Sequence, residues 1–113
     1  MSKHYSVESL REIAGGDEEF MMVVAQTFLE EIPPDLASLD EAIGNDNKEL
    51  AYQFAHKMKP NLEMFGIKAL KNIAAIESWT KTNKSNTTVL DNFQVLSDTL
   101  VKVFQELKKD YPS

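Results

Sequence analysis

The sequence contains no cysteine. This absence excludes disulfide bonds, thiolate catalysis and cysteine-based metal sites, and it is typical of proteins from a reducing compartment. The first residues hold no apolar run of the signal-peptide type. No stretch approaches the roughly 20 apolar residues needed to cross a bilayer. We therefore expect a cytoplasmic protein with no membrane segment.

Basic residues are also scarce. Twelve lysines and arginines stand against 18 acidic residues, which gives a net charge of −6. Nucleic-acid binding requires a basic surface that displaces counterions, so we do not expect nucleic acid as a partner. The main local concentration of cations comprises Lys57, Lys59, Lys68 and Lys71. This patch either attracts an anionic ligand or simply solvates a helix face, and composition does not decide between the two.

The usual cofactor motifs are missing as well. The sequence has no glycine-rich GxGxxG stretch and no Gly-Lys-Ser/Thr loop, so no nucleotide site is visible. It has no Glu-x-x-His pair of the kind found in metal-binding bundles. Of the two histidines, His4 lies in a terminus that we expect to be frayed. We predict no metal and no cofactor bound by the chain itself.

Strand-like alternation is absent, and helical spacing is present throughout. With 113 residues, we expect a single domain over 1–113. Ser6 and Asp17 are suited to cap two helices, and Gly15-Gly16 to end the first. Pro33-Pro34 is expected to break or kink the second helix and to start a new segment that ends at Gly44. The predicted helical segments are 7–14, 18–32, 34–44, 47–65, 67–80 and 89–109.

These segments predict an all-α fold. Four long helices with short connections favour an antiparallel up-down four-helix bundle, with a short extra helix at the N-terminus. In the second helix, Phe20, Val24 and Phe28 form one apolar stripe. Met21 and Met22 are adjacent and cannot both face the same core. One of them is therefore a candidate for an exposed apolar contact.

The segment 47–65 carries the most informative residue of the chain. At about 100° per residue, its apolar side chains gather on one face, and His56 points to the opposite side. The apolar face consists of Ala51, Phe54, Met58, Leu62 and Phe65. Around His56 lie Gln53, Lys57, Lys59, Pro60 and Glu63. The sequence thus predicts a core-facing helix that presents an isolated imidazole to solvent.

The residues near His56 point to phosphoryl chemistry. An unprotonated imidazole is a competent nucleophile. Lys59 is three residues on, within reach on the same side of the helix, and its cation suits a phosphoryl group on His56. Glu63 is about two turns away and too far for direct contact. The local sequence therefore offers a nucleophile and a cation, but no obvious catalytic dyad.

The order of these residues resembles the signature of histidine phosphotransfer (HPt) domains. That signature is Ala-His, an apolar residue two positions on, lysine three on, glycine four on and another glycine ten on. Ala55-His56, Met58, Lys59 and Gly66 match it. Residues 10–20 are similar to the family's entry to its second helix, and 27–31 are similar too. The resemblance covers about residues 7–80.

The resemblance implies a phosphorelay intermediate. His56 would accept a phosphoryl group from the aspartyl phosphate of a receiver domain and pass it to another receiver, with Lys59 holding the phosphoryl oxygens. Mg²⁺ would come from the receiver, and the chain would be a phosphocarrier with no kinase activity of its own. The partners implied are receivers of response regulators or hybrid histidine kinases, and we expect a monomer.

A partner would dock on apolar surface near His56, which we expect from the first two helices. The candidate docking residues are Val7, Leu10, Met21, Met22, Gln53, Lys57 and Pro60. Pro60 departs from the signature, since the family has glycine there. Proline lacks a donor for the carbonyl of His56 and should kink the helix. Pro60 therefore favours one alternative, a helical module that docks a receiver or kinase without accepting phosphate. A further alternative is a structural bundle without chemistry.

Overall fold

A computed structural model describes residues 3–112, and its regular secondary structure is entirely helical. Five α-helices lie in this range, and it contains no β-strand. They are α1 (Val7–Ile13), α2 (Glu18–Gly44), α3 (Lys48–Met64), α4 (Leu70–Trp79) and α5 (Leu90–Asp110), with a 3-10 turn at Asn86–Val89. The predicted all-α class is confirmed.

The predicted starts of the first two helices and the predicted end of the first are confirmed. The Ser6 side chain accepts a hydrogen bond from the backbone N–H of Ser9, which caps α1. Asp17 accepts from the N–H groups of Glu19 and Phe20 and caps α2. Gly15 has φ of +62°, a left-handed conformation that glycine adopts without steric cost. The α1–α2 corner therefore follows from local sequence.

The predicted break at Pro33-Pro34 is wrong, because α2 runs through both prolines as one helix. Each proline in a helix interior costs about 3 kcal/mol. Buried side chains continue along one face on both sides of the prolines, and burial of each contributes about 1.5–3 kcal/mol. These side chains are Phe28, Ile32, Leu36 and Leu39. Burial of that face offsets the local preference of the prolines.

The later helices differ from prediction at their ends. The predicted segment 67–80 starts instead at Leu70, and Ile67 to Ala69 form the turn before it. Ile67 and Ala69 are nevertheless buried, so the turn contributes to the core.

Phe20, predicted to lie in the core stripe of α2, is 46% exposed. Within the part of the chain described, no helix is long and apolar enough to span a membrane.

The helices share one core. Helix α2 packs against α3, α3 against α4, α4 against α5, and α5 against α2, while α1 packs on α2 and α3. Phe28 of α2 contacts Phe65, just after α3, with ring centroids 4.3 Å apart. Ala51, Met58 and Leu62 of the predicted face of α3 are buried in this core together with Ala55, whereas Phe54 is only half-buried. The opposite side of α3 is consequently left at the surface.

The N-terminal segment is fastened to the end of α5. The buried Tyr5 hydroxyl donates to Asp110, and the Lys3 ammonium lies 2.8 Å from the same carboxylate. Burial and the hydrogen bond to Asp110 raise the pKa of Tyr5. Burial alone would raise the pKa of Asp110, but the bonds from Lys3 and Tyr5 outweigh it and lower that pKa. His4 also contacts Glu106, so residues 3–5 of the terminus that we expected to be frayed are held against α5.

Candidate functional site

His56 lies in the middle of α3, and its side chain is 65% exposed. The neighbouring Ala55 is fully buried, as are Met58 and Leu62 further along the helix. These anchors fix the rotation of α3 about its axis. The exposure of His56 is therefore a consequence of the apolar pattern, as the sequence predicts. An exposed imidazole is accessible to a partner's reactive group.

A carboxylate from α4 approaches His56. Oε1 of Glu77 lies 3.8 Å from Nδ1 of His56, which is ion-pair range but longer than a hydrogen bond. The Glu77 side chain is only 15% exposed. Its Oε1 is buried and receives no hydrogen bond within residues 3–112. The sequence pattern did not predict this partner, because α4 brings it to His56 through tertiary packing.

An aromatic ring stacks on the imidazole. Tyr52 lies one turn before His56, and the two rings are nearly parallel, with centroids 5.3 Å apart and an interplanar angle of 14°. On α3 this pair has the (i, i+4) spacing that places side chains together. The ammonium of Lys81 lies 5.6 Å from the centroid of the Tyr52 ring. The spacing of Tyr52 was visible in the sequence, although we did not predict a role for it.

The two lysines beside His56 have different surroundings. Nζ of Lys57 donates to Oδ1 of Asp35 on α2 at 3.1 Å. Asp35 is buried, and its other oxygen, Oδ2, has no partner within residues 3–112. Lys59 is half-buried and makes no ion pair with a carboxylate of the described chain. Of the two lysines, Lys59 is therefore the one whose ammonium is not held in an ion pair within the described residues.

The other predicted docking residues separate into exposed and buried groups. Gln53, Lys57 and Pro60 are exposed around His56. Leu10 is fully buried and Met21 is 3% exposed, so the prediction that they dock a partner is wrong in this structure. Both fill the core at the α1–α2 corner. Met22 is 39% exposed, which answers the question of which methionine faces outward. Val7 is half-buried.

Pro60 does not interrupt α3, which is one helix from Lys48 to Met64. The buried Met58 and Leu62 flank the proline and hold the helix in place. Pro60 itself is exposed one turn beyond His56. Its ring therefore occupies the surface where the signature has glycine. The lost backbone donor has not ended the helix.

Gly66, the last residue of the signature, has a structural role. Its φ of +60° is left-handed, and a Cβ there would lie 2.7 Å from the Cβ of Ser6. The backbone N–H of Ser6 also donates to the carbonyl of Phe65 at 2.7 Å. Gly66 therefore lets the start of α1 sit against the end of α3. It lies ten residues from His56, about 15 Å along a helix, and does not form part of the reactive site.

The described residues contain no cluster of three or more His, Asp or Glu side chains suited to hold a metal ion.

Fold and site together define a helical protein that presents one accessible imidazole flanked by a carboxylate and cations. A family model described as Hpt domain matches residues 23–107, and the chain belongs to that family. Hpt domains interact with receiver domains in phosphorelays. Searches of curated proteins and of solved structures gave no match.

The extent of the match differs from the resemblance found in the sequence. It begins inside α2, so α1 and the start of α2 lie outside it, although residues 10–20 resemble the family. It reaches residue 107 and includes most of α5, beyond the predicted limit near residue 80. The segment that carries His56 lies in the middle of the match.

Proposed function

We propose that the chain is a phosphorelay intermediate in which His56 accepts a phosphoryl group from the aspartyl phosphate of one receiver domain and passes it to another. The observation that carries the proposal is the exposed imidazole with Nδ1 turned toward Glu77. Membership of the Hpt family supports the same role. The chain would act as a carrier, with the activated acyl phosphate as the source of the group.

The arrangement favours Nε2 as the attacking atom. With its proton on Nδ1, facing Glu77, the neutral ring has its lone pair on Nε2. Attack forms the Nε2–P bond as the P–O bond to the aspartyl group breaks, and the electron pair leaves with the receiver's carboxylate. The ring then carries a positive charge, which the Glu77 carboxylate offsets across 3.8 Å. Reversal of these steps on a second receiver completes the relay.

Charge on the transferring group would be stabilised from both partners. Lys59 lies one turn beyond His56 and makes no ion pair within residues 3–112, so its ammonium is available to the phosphoryl oxygens. Lys57 is drawn toward Asp35 and would contribute less. Mg²⁺ held by the receiver would supply further stabilisation of the phosphoryl group. We assign to Lys59 the role of phosphoryl stabilisation.

The docking surface would combine the site with exposed apolar residues on α1 and α2. These residues are Ile13, Phe20 and Val23, whereas the exposed Met22 lies about 200° around α2 from Phe20 and belongs to the other flank of that helix. The first three replace the buried Leu10 and Met21 as the apolar contacts. Phe20 lies fifteen residues before Asp35, the contact of Lys57, a separation of about 22 Å along the helix. A standard interface of about 800 Å² per partner is roughly 30 Å across and would cover both regions.

We also infer that the helices form an antiparallel up-down four-helix bundle, with α1 as the extra helix. The closed order of contacts, α2–α3–α4–α5 and back to α2, supports this arrangement. Two cross-helix contacts support an antiparallel α2–α3 pair: Asp35 with Lys57, and Phe28 with Phe65. Phe28 precedes Asp35 along α2, but its partner Phe65 follows Lys57 in the α3 segment. The two segments therefore run in opposite directions.

One observation favours a second function. Pro60 places a ring on the surface where the family has the smaller glycine, and this would reduce clearance for an incoming receiver. In the alternative, the chain docks a receiver or kinase without accepting phosphate. Receiver binding that survives His56→Ala, together with the absence of transfer to the wild type, would support the alternative.

A transfer assay tests the proposed function. A receiver carrying labelled aspartyl phosphate is mixed with the wild type or with His56→Gln. The proposal predicts transfer to the wild type and none to the variant, with the same helicity in both by circular dichroism. Label on the His56→Gln protein at the wild-type level would overturn the assignment of His56.

A further inference from the structure

Tyr52 has no place in the phosphoryl chemistry above, yet it touches the reactive residue. Its ring lies nearly parallel to the imidazole, with centroids 5.3 Å apart. Aromatic pairs at such separations favour offset stacking. Rotation of the imidazole about its Cβ–Cγ bond would lose this face contact. The stack therefore restrains the ring orientation of an otherwise exposed side chain.

The stack and Glu77 restrain His56 in complementary ways. Tyr52 fixes the plane of the imidazole, and the Glu77 oxygen 3.8 Å from Nδ1 fixes which edge turns toward α4. Nε2 is the nitrogen that remains for an incoming group. A ring already held in the reactive orientation loses less entropy on the way to the transition state.

The surroundings of Tyr52 indicate that its ring acts rather than its hydroxyl. The hydroxyl makes no hydrogen bond within residues 3–112, and the side chain is half-buried. Lys81, in the turn just after α4, lies over the same ring at 5.6 Å, a cation–π contact that holds Tyr52 in place. A phenylalanine would preserve these contacts, whereas an aliphatic residue of similar size would not.

We propose that Tyr52 is a positioning residue for the phosphoacceptor, holding the His56 imidazole by stacking so that Nε2 faces the incoming phosphoryl group. This inference rests on the proposed phosphoryl transfer to His56. Loss of a stacked aromatic contact should slow phosphorylation about three- to tenfold, which is the range expected for an aromatic pair.

The test compares Tyr52→Phe, which keeps the aromatic ring, with Tyr52→Leu, which removes it. Tyr111→Leu serves as the control, because it removes a half-buried tyrosine just after α5. Two readouts are measured on each protein. One is the NMR chemical shifts of the His56 ring protons, which report stacking and need no phosphoryl transfer. The other is the rate of phosphorylation by phosphoramidate, a small donor that requires no docking surface.

We expect the Tyr52→Leu variant to shift the His56 ring signals and to react three- to tenfold more slowly, while Tyr52→Phe and the control match the wild type. Unchanged ring signals in Tyr52→Leu, or equal losses in the Phe and Leu variants, would overturn the positioning role. A third result separates the two proposals. If the ring signals show that Tyr52 stacks on His56 in the wild type, but no receiver transfers a phosphoryl group to it, the proposed function is contradicted and the stacking is not.

Discussion

Glu77 on α4 and His56 on α3 face each other, with Oε1 of the carboxylate 3.8 Å from Nδ1 of the imidazole. That oxygen is buried and accepts no hydrogen bond from residues 3–112. A buried carboxylate oxygen without a donor is costly, and an N–H on Nδ1 of His56 would face this oxygen. The packing of α4 on α3 therefore places a buried carboxylate beside the imidazole of His56.

Replacing Glu77 with glutamine should slow phosphoryl transfer about tenfold, because the amide keeps the size of the side chain but loses the charge that offsets the imidazolium. The measurement is the initial rate of label transfer from a phosphorylated receiver at saturating concentration. Glu63→Gln is the matched control, since Glu63 is an exposed acid further along α3. Equal rates for both variants and the wild type would remove Glu77 from the mechanism.

Substitution of Lys57 should lower the stability of the protein, whereas substitution of Lys59 should slow phosphoryl transfer. Lys57→Met leaves the buried Asp35 carboxylate without its ammonium partner and should lower the free energy of unfolding by about 1–2 kcal/mol. Lys59→Met should have little effect on stability but should slow transfer to His56. Urea unfolding and the transfer assay are run on both proteins.

The double variant Asp35→Leu/Lys57→Met provides the control for this prediction. It removes the buried charge along with its partner, so it should recover stability relative to Lys57→Met alone. A Lys57→Met protein as stable as the wild type, or one that transfers as slowly as Lys59→Met, would contradict the division of roles.

Gly66→Ala should destabilise the protein more than Gly15→Ala. Both glycines have left-handed φ, so an alanine at either position costs about 1–2 kcal/mol. A Cβ at Gly15 meets open space, whereas one at Gly66 would lie 2.7 Å from Ser6 Cβ. We expect a total loss of about 2–4 kcal/mol for Gly66→Ala, measured by urea unfolding.

Adding Ser6→Gly to Gly66→Ala removes the clashing atom, while glycine at a helix N-cap costs only a few tenths of a kcal/mol relative to serine. The double variant should therefore regain part of the lost stability. Equal stability of the Gly66→Ala and Gly15→Ala proteins would contradict this prediction, because the close approach of α1 to α3 would then not explain why position 66 is glycine.

The contacts of the N-terminal segment should be lost at both extremes of pH. Because the pKa of Asp110 is below its ordinary 3.8, its stabilisation is present above that pH and is lost as the pH falls through the lowered value. Because the pKa of Tyr5 is raised above 10.0, its stabilisation is complete below pH 10 and is lost as the pH rises through the folded value.

The measurement is the difference in unfolding free energy between the wild type and Asp110→Asn across pH. We expect about 1 kcal/mol at neutral pH, shrinking below about pH 4 as the wild-type carboxylate is protonated. Tyr5→Phe should lose less stability above pH 10 than the wild type. A difference that stays constant from pH 3 to neutrality would show that Asp110 contributes through something other than its charge.

The sequence predicted what depends on neighbours along the helix. The apolar spacing of α3 placed His56 at the surface, and Ser6, Asp17 and Gly15 marked the α1–α2 corner. The same local reasoning gave too much weight to Pro33-Pro34, because burial on both sides of the prolines overrides their preference. It also could not choose between adjacent Met21 and Met22 until the packing of the second helix was known.

The part of the site that the sequence did not reveal comes from other helices. Asp35 and Glu77 reach Lys57 and His56 only because α2 and α4 pack beside α3. No spacing rule within one helix predicts such contacts. Tyr52, unlike Asp35 and Glu77, lies on the same helix as His56. Its (i, i+4) spacing from His56 could be seen in the sequence, but its role was not predicted.

The most direct measurement of the central claim is ³¹P NMR of the protein after incubation with a phosphorylated receiver and removal of that receiver. The account predicts a single phosphoramidate resonance, stable in base and lost in acid, bonded to Nε2 of His56 and absent from His56→Gln. A resonance that persists in acid, or one that remains in the His56→Gln protein, would contradict the account.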